Sequence, residues 1–296
     1  MTPPGGRRRR ERRLGWLLTA PAVSVMLLVT AWPLARALWL SLHRYRLTDP
    51  AGQAFVGAQN YLVVLRDPLW WQDVGTTLLL TAATVPVELA LGLAIALVMH
   101  RAVAGRRWLR AAVLVPYGMV TVVCAFAWRY AFAADTGFVN AWLGLGDFAW
   151  FGHRASALLA IGVAEVWKTT PFVALLLLAG LAQVPEALQE AARLDGASAW
   201  QRLVHVTLPA MKGAVLVTVL FRTLDAWRIF DTVFVMTQGA LGTESVSFLA
   251  YRQTISRTAL GLGSAVSVVL FLSVVLIAAL LLRAFRLDPG EPGGGA

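Results

Sequence analysis

The sequence predicts an all-α, polytopic membrane bundle of six transmembrane helices with a helical cytoplasmic loop. Three observations carry this. Of 296 residues, 58% are hydrophobic and only 14% charged. The mean hydropathy is +0.66, well above that of ordinary soluble domains. Apolar stretches long enough to cross a bilayer core of about 30 Å, which takes about twenty helical residues, recur six times. Unpaired backbone groups are costly in lipid, so segments of this length are expected to be helices. The twelve Trp, five Tyr and thirteen Phe suit rings anchored at headgroup level.

Residues 1–13 form an Arg-rich head, expected to be a cytoplasmic N-terminus. It is followed by the first span at 14–41, and by further spans at 74–99, 109–132, 156–181, 213–236 and 263–285. The six-span domain is thus expected to occupy 14–287. The tail at 288–296 is rich in Pro and Gly and is expected to be a disordered cytoplasmic end. A secretory or twin-arginine signal would also place arginines before an apolar run. This run, however, is long for a signal, lacks a clear A-x-A site and is followed by five more spans.

Loop charge gives the orientation. The head, the second-to-third loop, the fourth-to-fifth loop and the tail hold Arg7, Arg8, Arg9, Arg10, Arg12, Arg13, Arg101, Arg106, Arg107, Arg110, Arg193, Arg202, Lys212, Arg283 and Arg286, all on one side. The other side holds only Arg44, Arg46, Arg66, Arg154, Arg252 and Arg257. The positive-inside rule therefore predicts a multi-pass cell-membrane protein with both termini cytoplasmic. It also accounts for most of the net charge of +10 without nucleic acid, for which no aromatic-studded basic fold is present. The remaining loops, 43–73, 133–155 and 237–262, are too short for an independent domain, so solute capture is expected to need a separate protein. The single cysteine, Cys124, lies in an apolar run and can form no internal disulfide. His43, His100, His153 and His205 show no metal-binding spacing.

The fourth-to-fifth loop, 182–212, has the most specific pattern. Pro185 suits a first helical turn, and Glu186 to Leu194 are mostly good helix formers. Gly196 after Asp195 supplies a residue able to take positive φ and stop that helix. Ser198 with Gln201 forms a capping-box pattern that starts another helix, expected to end at Leu208-Pro209. Two short helices joined at a glycine elbow result, with Ala191, Ala192 and Ala197 leaving room for close approach of another backbone. An amphipathic connector lying on the headgroups would show the same features.

Glu190-Ala191-Ala192, then three residues, Gly196, nine residues, Val206, one residue and Leu208-Pro209 resembles the EAA signature of permease subunits in binding-protein-dependent ABC importers. The more frequent Ile is replaced by Val206. The resemblance implies that Glu190, Ala191, Ala192, Asp195, Gly196, Ala197, Leu208 and Pro209 couple the spans to an ATPase subunit. Ala20-Pro21, Trp32-Pro33, Ser41, Phe55-Val-Gly57 and Asn60-Tyr61, with Phe230-Asp231, Phe234, Met236-Thr237 and Gly239, are similar to sugar permeases of the maltose-transporter type. That group often has Gly-Gly-Pro where this chain has Gly239-Ala240-Leu241. Glu165-Val-Trp-Lys-Thr-Thr-Pro171 and Phe221-Arg-Thr-Leu-Asp225 resemble permeases of actinobacterial trehalose importers. The resemblance implies a second homologous permease subunit, two ATPase subunits holding ATP and Mg, an extracytoplasmic substrate-binding lipoprotein and trehalose as solute. No cofactor is expected in this chain, which has no G-x-x-x-x-G-K-[ST] phosphate loop.

Ionisable groups at membrane depth are costly and are candidates for function. Glu165, Trp167, Lys168, Thr169, Arg222, Asp225, Arg228 and Asp231 are the candidate lining of a substrate path, since hydroxyls stripped of water need replacement hydrogen bonds. Mutual neutralisation is the alternative: Glu165 with Lys168, Arg222 with Asp225 and Arg228 with Asp231 are each three apart. Arg222 and Asp231 point to nearly opposite faces of an unbroken helix. Glu88 has no local partner, and Arg129 is a further charge in the third span. Pro86, Pro116 and Pro171 are expected to kink their spans. A membrane enzyme would need clustered His, Asp and Ser at one depth, and an ion-coupled secondary transporter would need paired broken-helix repeats; neither pattern is visible. Another oligosaccharide or a glycerol-phosphate would fit nearly every feature.

Overall fold

The computed structural model describes residues 4–101 and 106–285. The tail at 288–296 and the side chains of Arg7 to Arg13 lie outside what is described. The chain divides into two compact units, one of residues to Arg66 with Ala250–Val269, the other of Asp67–Leu249 with Leu270 onward.

In the first unit, α1 (Pro4–Ser41) carries the Arg-rich backbone and the first span in one helix. From Trp16 to Trp32 its described side chains are all exposed, Leu18 and Leu28 included. Water would not tolerate so long an apolar surface; lipid does. A two-stranded antiparallel hairpin follows, β1 (His43–Arg46) and β2 (Asp49–Phe55), with a register irregularity between Arg44 and Arg46. The described chain is otherwise helical, as expected, and this hairpin is a short exposed addition whose residues show no sustained strand pattern in the sequence. The short α2 (Gln59–Arg66) ties the hairpin down: the Asn60 amide donates to the Ser41 and His43 carbonyls at 2.8 and 2.9 Å. Gly261 runs so close to the His43 carbonyl that a Cβ would collide with it.

In the second unit, α3 (Pro68–Arg101) is the second span, and its helix continues through Pro86. The third span is broken. Its halves, α4 (Arg106–Gly118) and α5 (Thr121–Ala131), meet at 95° just after Pro116. After the short α6 (Phe138–Leu143), α7 (Arg154–Leu181) forms the fourth span, with Pro171 inside a continuous helix. Pro116 thus marks a sharp break, whereas the helix assignments run through Pro86 and Pro171. Contact between α3 and α7 is close because Gly92 faces Val173, where any Cβ would crowd that side chain. Small residues at such crossings let helices approach in lipid, where packing rather than water exclusion holds them together.

The fourth-to-fifth loop is helical: α8 (Glu186–Leu194), α9 (Ala199–Arg202), a π turn at Leu203–Thr207 and α10 (Leu208–Ala210). Then follow α11 (Lys212–Trp227), α12 (Asp231–Met236), α13 (Val246–Tyr251) and α14 (Leu260–Ala284). The fifth span is interrupted between Trp227 and Asp231. Among the described residues four helices are long and apolar enough to cross a membrane, and up to six if each bent pair counts as one span. Among its described residues the unit has two apolar clusters. One joins Leu80, Phe132, Trp150, Ile161, Val233 and Phe248; the other joins Ala96, Met99, Val173, Leu177 and Met211.

Candidate functional site

Two features of the second unit carry the chemistry. The first is the loop elbow. Pro185 is the N-cap of α8, one position before the expected first turn. Gly196 takes φ +79°. The Ala197 N–H donates to the Ala192 carbonyl and the Gly196 N–H to the Arg193 carbonyl, both at 3.0 Å. This 6→1 and 5→2 pair is a Schellman stop, which needs a left-handed residue where Gly196 stands. The next helix opens with the expected reciprocal cap. The Gln201 N–H donates to Ser198 Oγ at 3.3 Å, and Gln201 Oε1 accepts from the Ser198 N–H at 2.8 Å.

Leu208-Pro209 does not end that helix. The π turn lets the Leu208 N–H reach the Leu203 carbonyl, and the chain continues through Pro209 to Ala210 before bending by 77° at Met211. The ladder is already reset to i−5 one residue before the proline, which lacks a donor, so the helix tolerates it. Glu190, Ala191, Asp195, Gly196 and Pro209 are exposed, while Ala192, Ala197 and Leu208 are half-buried. Beside the elbow stand Leu194, 90% exposed, and Trp200, 71% exposed. Sequence reasoning passed over both. Their signal is a large apolar side chain on each side of a glycine turn.

The second feature is a cavity of about 520 Å³ between the break in the third span, the middle of α7 and the break in the fifth span. Glu165, Lys168, Thr169, Asp225, Arg228 and Asp231 line it, together with Tyr117 and Phe230. The unbroken-helix geometry that would separate these charges does not hold, because the turn around Arg228 brings Asp225, Arg228 and Asp231 to one space.

Two candidates lie elsewhere. Trp167 packs edge-on against Trp128 at 5.7 Å rather than lining the cavity. Arg222 is 1% exposed and turned into the bundle. There its Nε and NH2 donate to the two Glu88 oxygens at 2.5 and 2.8 Å, and its NH1 donates to Asp225 Oδ2 at 2.6 Å.

Only one of the three expected local ion pairs therefore forms among the described residues, Arg222 with Asp225. Lys168 does not pair with Glu165. Its Nζ donates to the Met119 carbonyl at 2.9 Å, filling an acceptor freed where the third span breaks. Glu165 instead accepts a hydrogen bond from Thr232. Arg228 and Asp231 form no ion pair with each other and are left toward the cavity. Arg129 uses NH1 to cap the Val235 carbonyl at 2.8 Å, joining α5 to α12. The site thus offers both charge signs, hydroxyls and a stackable tyrosine in a space between candidate spans, which can hold a polar solute by hydrogen bonds.

A polytopic helical chain with a polar cavity inside its bundle and an exposed helical elbow outside it has the architecture of a transport-channel subunit. Residues 88–287 match the family of binding-protein-dependent transport system inner membrane components, and the chain belongs to that family. It is 49% identical to the trehalose transport system permease protein SugA of Mycobacterium tuberculosis, over 98% of this chain and 94% of the relative. It is 38% identical to the trehalose/maltose transport system permease protein MalF of Thermococcus litoralis, over 94% of this chain and 95% of that protein. In fold it is similar to a chain of a bacterial ABC transporter involved in the import of the acidic polysaccharide alginate, with TM-score 0.79, 19% identity and coverage of 95% of this chain and 98% of that one.

Proposed function

We propose that this chain is the permease subunit of a sugar ABC importer and that its solute is the disaccharide trehalose. In this reading it hydrolyses nothing itself. A second homologous permease completes the channel, two ATPase subunits hold ATP and Mg, and an extracytoplasmic lipoprotein delivers the sugar. Both termini face the cytoplasm, as the arginine distribution favours.

The observation that carries the reading is the presence, in one unit, of a mixed-charge cavity between candidate spans and an exposed elbow built on Gly196. The elbow residues Glu190, Ala191, Ala192, Asp195, Gly196 and Ala197, with Leu208 and Pro209, receive the ATPase. Glu165, Lys168, Thr169, Asp225, Arg228 and Asp231 meet the sugar. The near full-length similarity to trehalose permeases supports the solute. Closure of the ATPases biases the permease pair from inward-open to outward-open, and reopening releases the sugar inward.

The test is ATP-dependent uptake of labelled trehalose by proteoliposomes holding this permease, the second permease, the ATPases and the lipoprotein, with wild type and Gly196→Trp. At φ +79° a tryptophan strains the elbow and blocks docking without touching the cavity. Loss of ATP-driven uptake with Gly196→Trp supports the coupling assignment. Normal uptake by that variant, or uptake without ATP, overturns it; coupled transport that ignores trehalose overturns the solute alone.

A further inference from the structure

The ion triad at the edge of the cavity is unevenly solvated. Glu88 is fully buried and Arg222 nearly so, yet the Asp225 side chain is 64% exposed. A guanidinium presents its donors as a rigid planar fork. The Nε and NH2 edge is taken up by both Glu88 oxygens, leaving NH1 for Asp225 Oδ2 alone. Asp225 Oδ1 accepts no hydrogen bond among the described residues, and Asp225 is one of the residues that line the cavity. Burying an ion pair is costly, and well-packed apolar residues often replace one without loss of stability. Stability alone therefore gives the Glu88–Arg222 pair little reason to exist, whereas a need to hold one carboxylate in one rotamer does.

We propose that Arg222, anchored by Glu88 across the bundle, is a positioning residue for solute binding. It fixes the Asp225 carboxylate so that its second oxygen accepts a hydroxyl of the sugar. A hydroxyl donating to a carboxylate makes a short charge-assisted bond, and a carboxylate already locked in place avoids the ordering cost of forming it. The inference rests on the reading of the cavity as the solute path. It also revises the part that the sequence assigns to Arg222, from a lining group to one acting through Asp225.

The experiment measures equilibrium binding of labelled trehalose to the purified complex of this chain with its partner permease and ATPases, or of whichever labelled saccharide supports wild-type uptake. Assembly is followed in parallel by size-exclusion chromatography. Asp225→Asn should weaken binding about tenfold, the scale of one charged hydrogen bond. The double substitution Glu88→Leu with Arg222→Met removes the buried pair but fills its space, and should weaken binding to a similar degree with assembly intact. Adding Asp225→Asn to it should change little more, because the residues act as one unit. Arg222→Lys keeps a charge opposite Glu88 but gives up the fork, and should show the same weakening if the double variant assembles poorly. Wild-type affinity in the double variant or in Arg222→Lys, with Asp225→Asn impaired, overturns the positioning role. Additive losses, or failure of both Arg222 variants to assemble, overturn it too and leave Arg222 to the fold. Wild-type affinity in Asp225→Asn overturns the proposed Asp225 contact and leaves the cavity reading to its other five residues; wild-type affinity in Glu165→Gln and Asp231→Asn as well overturns that reading too.

Discussion

Asn140 closes the loop between α5 and α7 with both ends of its amide. It donates to the Ala134 and Phe148 carbonyls at 3.1 and 3.0 Å, and accepts from Trp150 Nε1 at 2.7 Å. Trp150 in turn packs edge-on against Phe132 within a buried cluster, and against the exposed Phe148 beside it. Asn140→Leu leaves the buried Trp150 indole donor without its partner, which costs about 1–3 kcal/mol, while the carbonyls of the half-buried Ala134 and exposed Phe148 can turn to water. The detergent-purified protein should lose about 2 kcal/mol of stability, read as a lowered midpoint in thermal unfolding. Asn140→Asp should lose at least as much, since it keeps the acceptor for Trp150 but sets a buried carboxylate oxygen against two carbonyl oxygens. At this scale the sequence was least informative. An i, i+3 rule finds Arg222 with Asp225, yet the same rule pairs Glu165 with Lys168, which the fold separates by giving each a distant partner in Thr232 and Met119. Glu88 meets Arg222 from 134 positions away, a contact that no local pattern encodes.

Helical elements fare differently. Length and apolarity locate the spans because the bilayer requires both, and the elbow between α8 and α9 was legible down to Gly196 and the Ser198–Gln201 box because its signals lie within a few residues. The breaks in the third and fifth spans were not. Pro116 marks a kink, but whether a kink opens into a bend of 95° depends on what satisfies the freed carbonyls. Here Lys168 caps Met119 and Ser245 caps Ile229, both from other elements. The elbow gives a prediction at this scale. Ser198→Ala removes one half of the capping box, which costs about 1 kcal/mol of helix stability. Amide exchange at Gln201 and its neighbours should speed up about fivefold, with binding of sugar to the cavity unchanged. If the elbow transmits ATPase closure, ATP-driven uptake should fall while the amount of assembled complex holds. Unchanged exchange would mean that α9 is held by the π turn and Met211 rather than by its cap.

For the whole molecule, the arginine asymmetry makes a claim that hydropathy cannot: it says which end of the bundle faces the cytoplasm. The elbow and the α6 loop lie in different interhelical segments, and the positive-inside rule sends them to opposite sides. Cys124 is the only cysteine and is buried, so Cys124→Ala gives a cysteine-free chain at small packing cost, since it behaves as a small apolar residue. In that background Leu194→Cys and Leu145→Cys place single thiols at exposed sites beside the elbow and in the α6 loop. A membrane-impermeant maleimide applied to intact cells should label Leu145→Cys and spare Leu194→Cys until the cells are permeabilised. The reverse pattern would put the elbow outside, where no ATPase could reach it, and would overturn the importer reading even if the fold stood. Labelling of both in intact cells would mean an odd number of crossings between residues 145 and 194 does not occur, so that α7 enters the membrane and returns instead of spanning it.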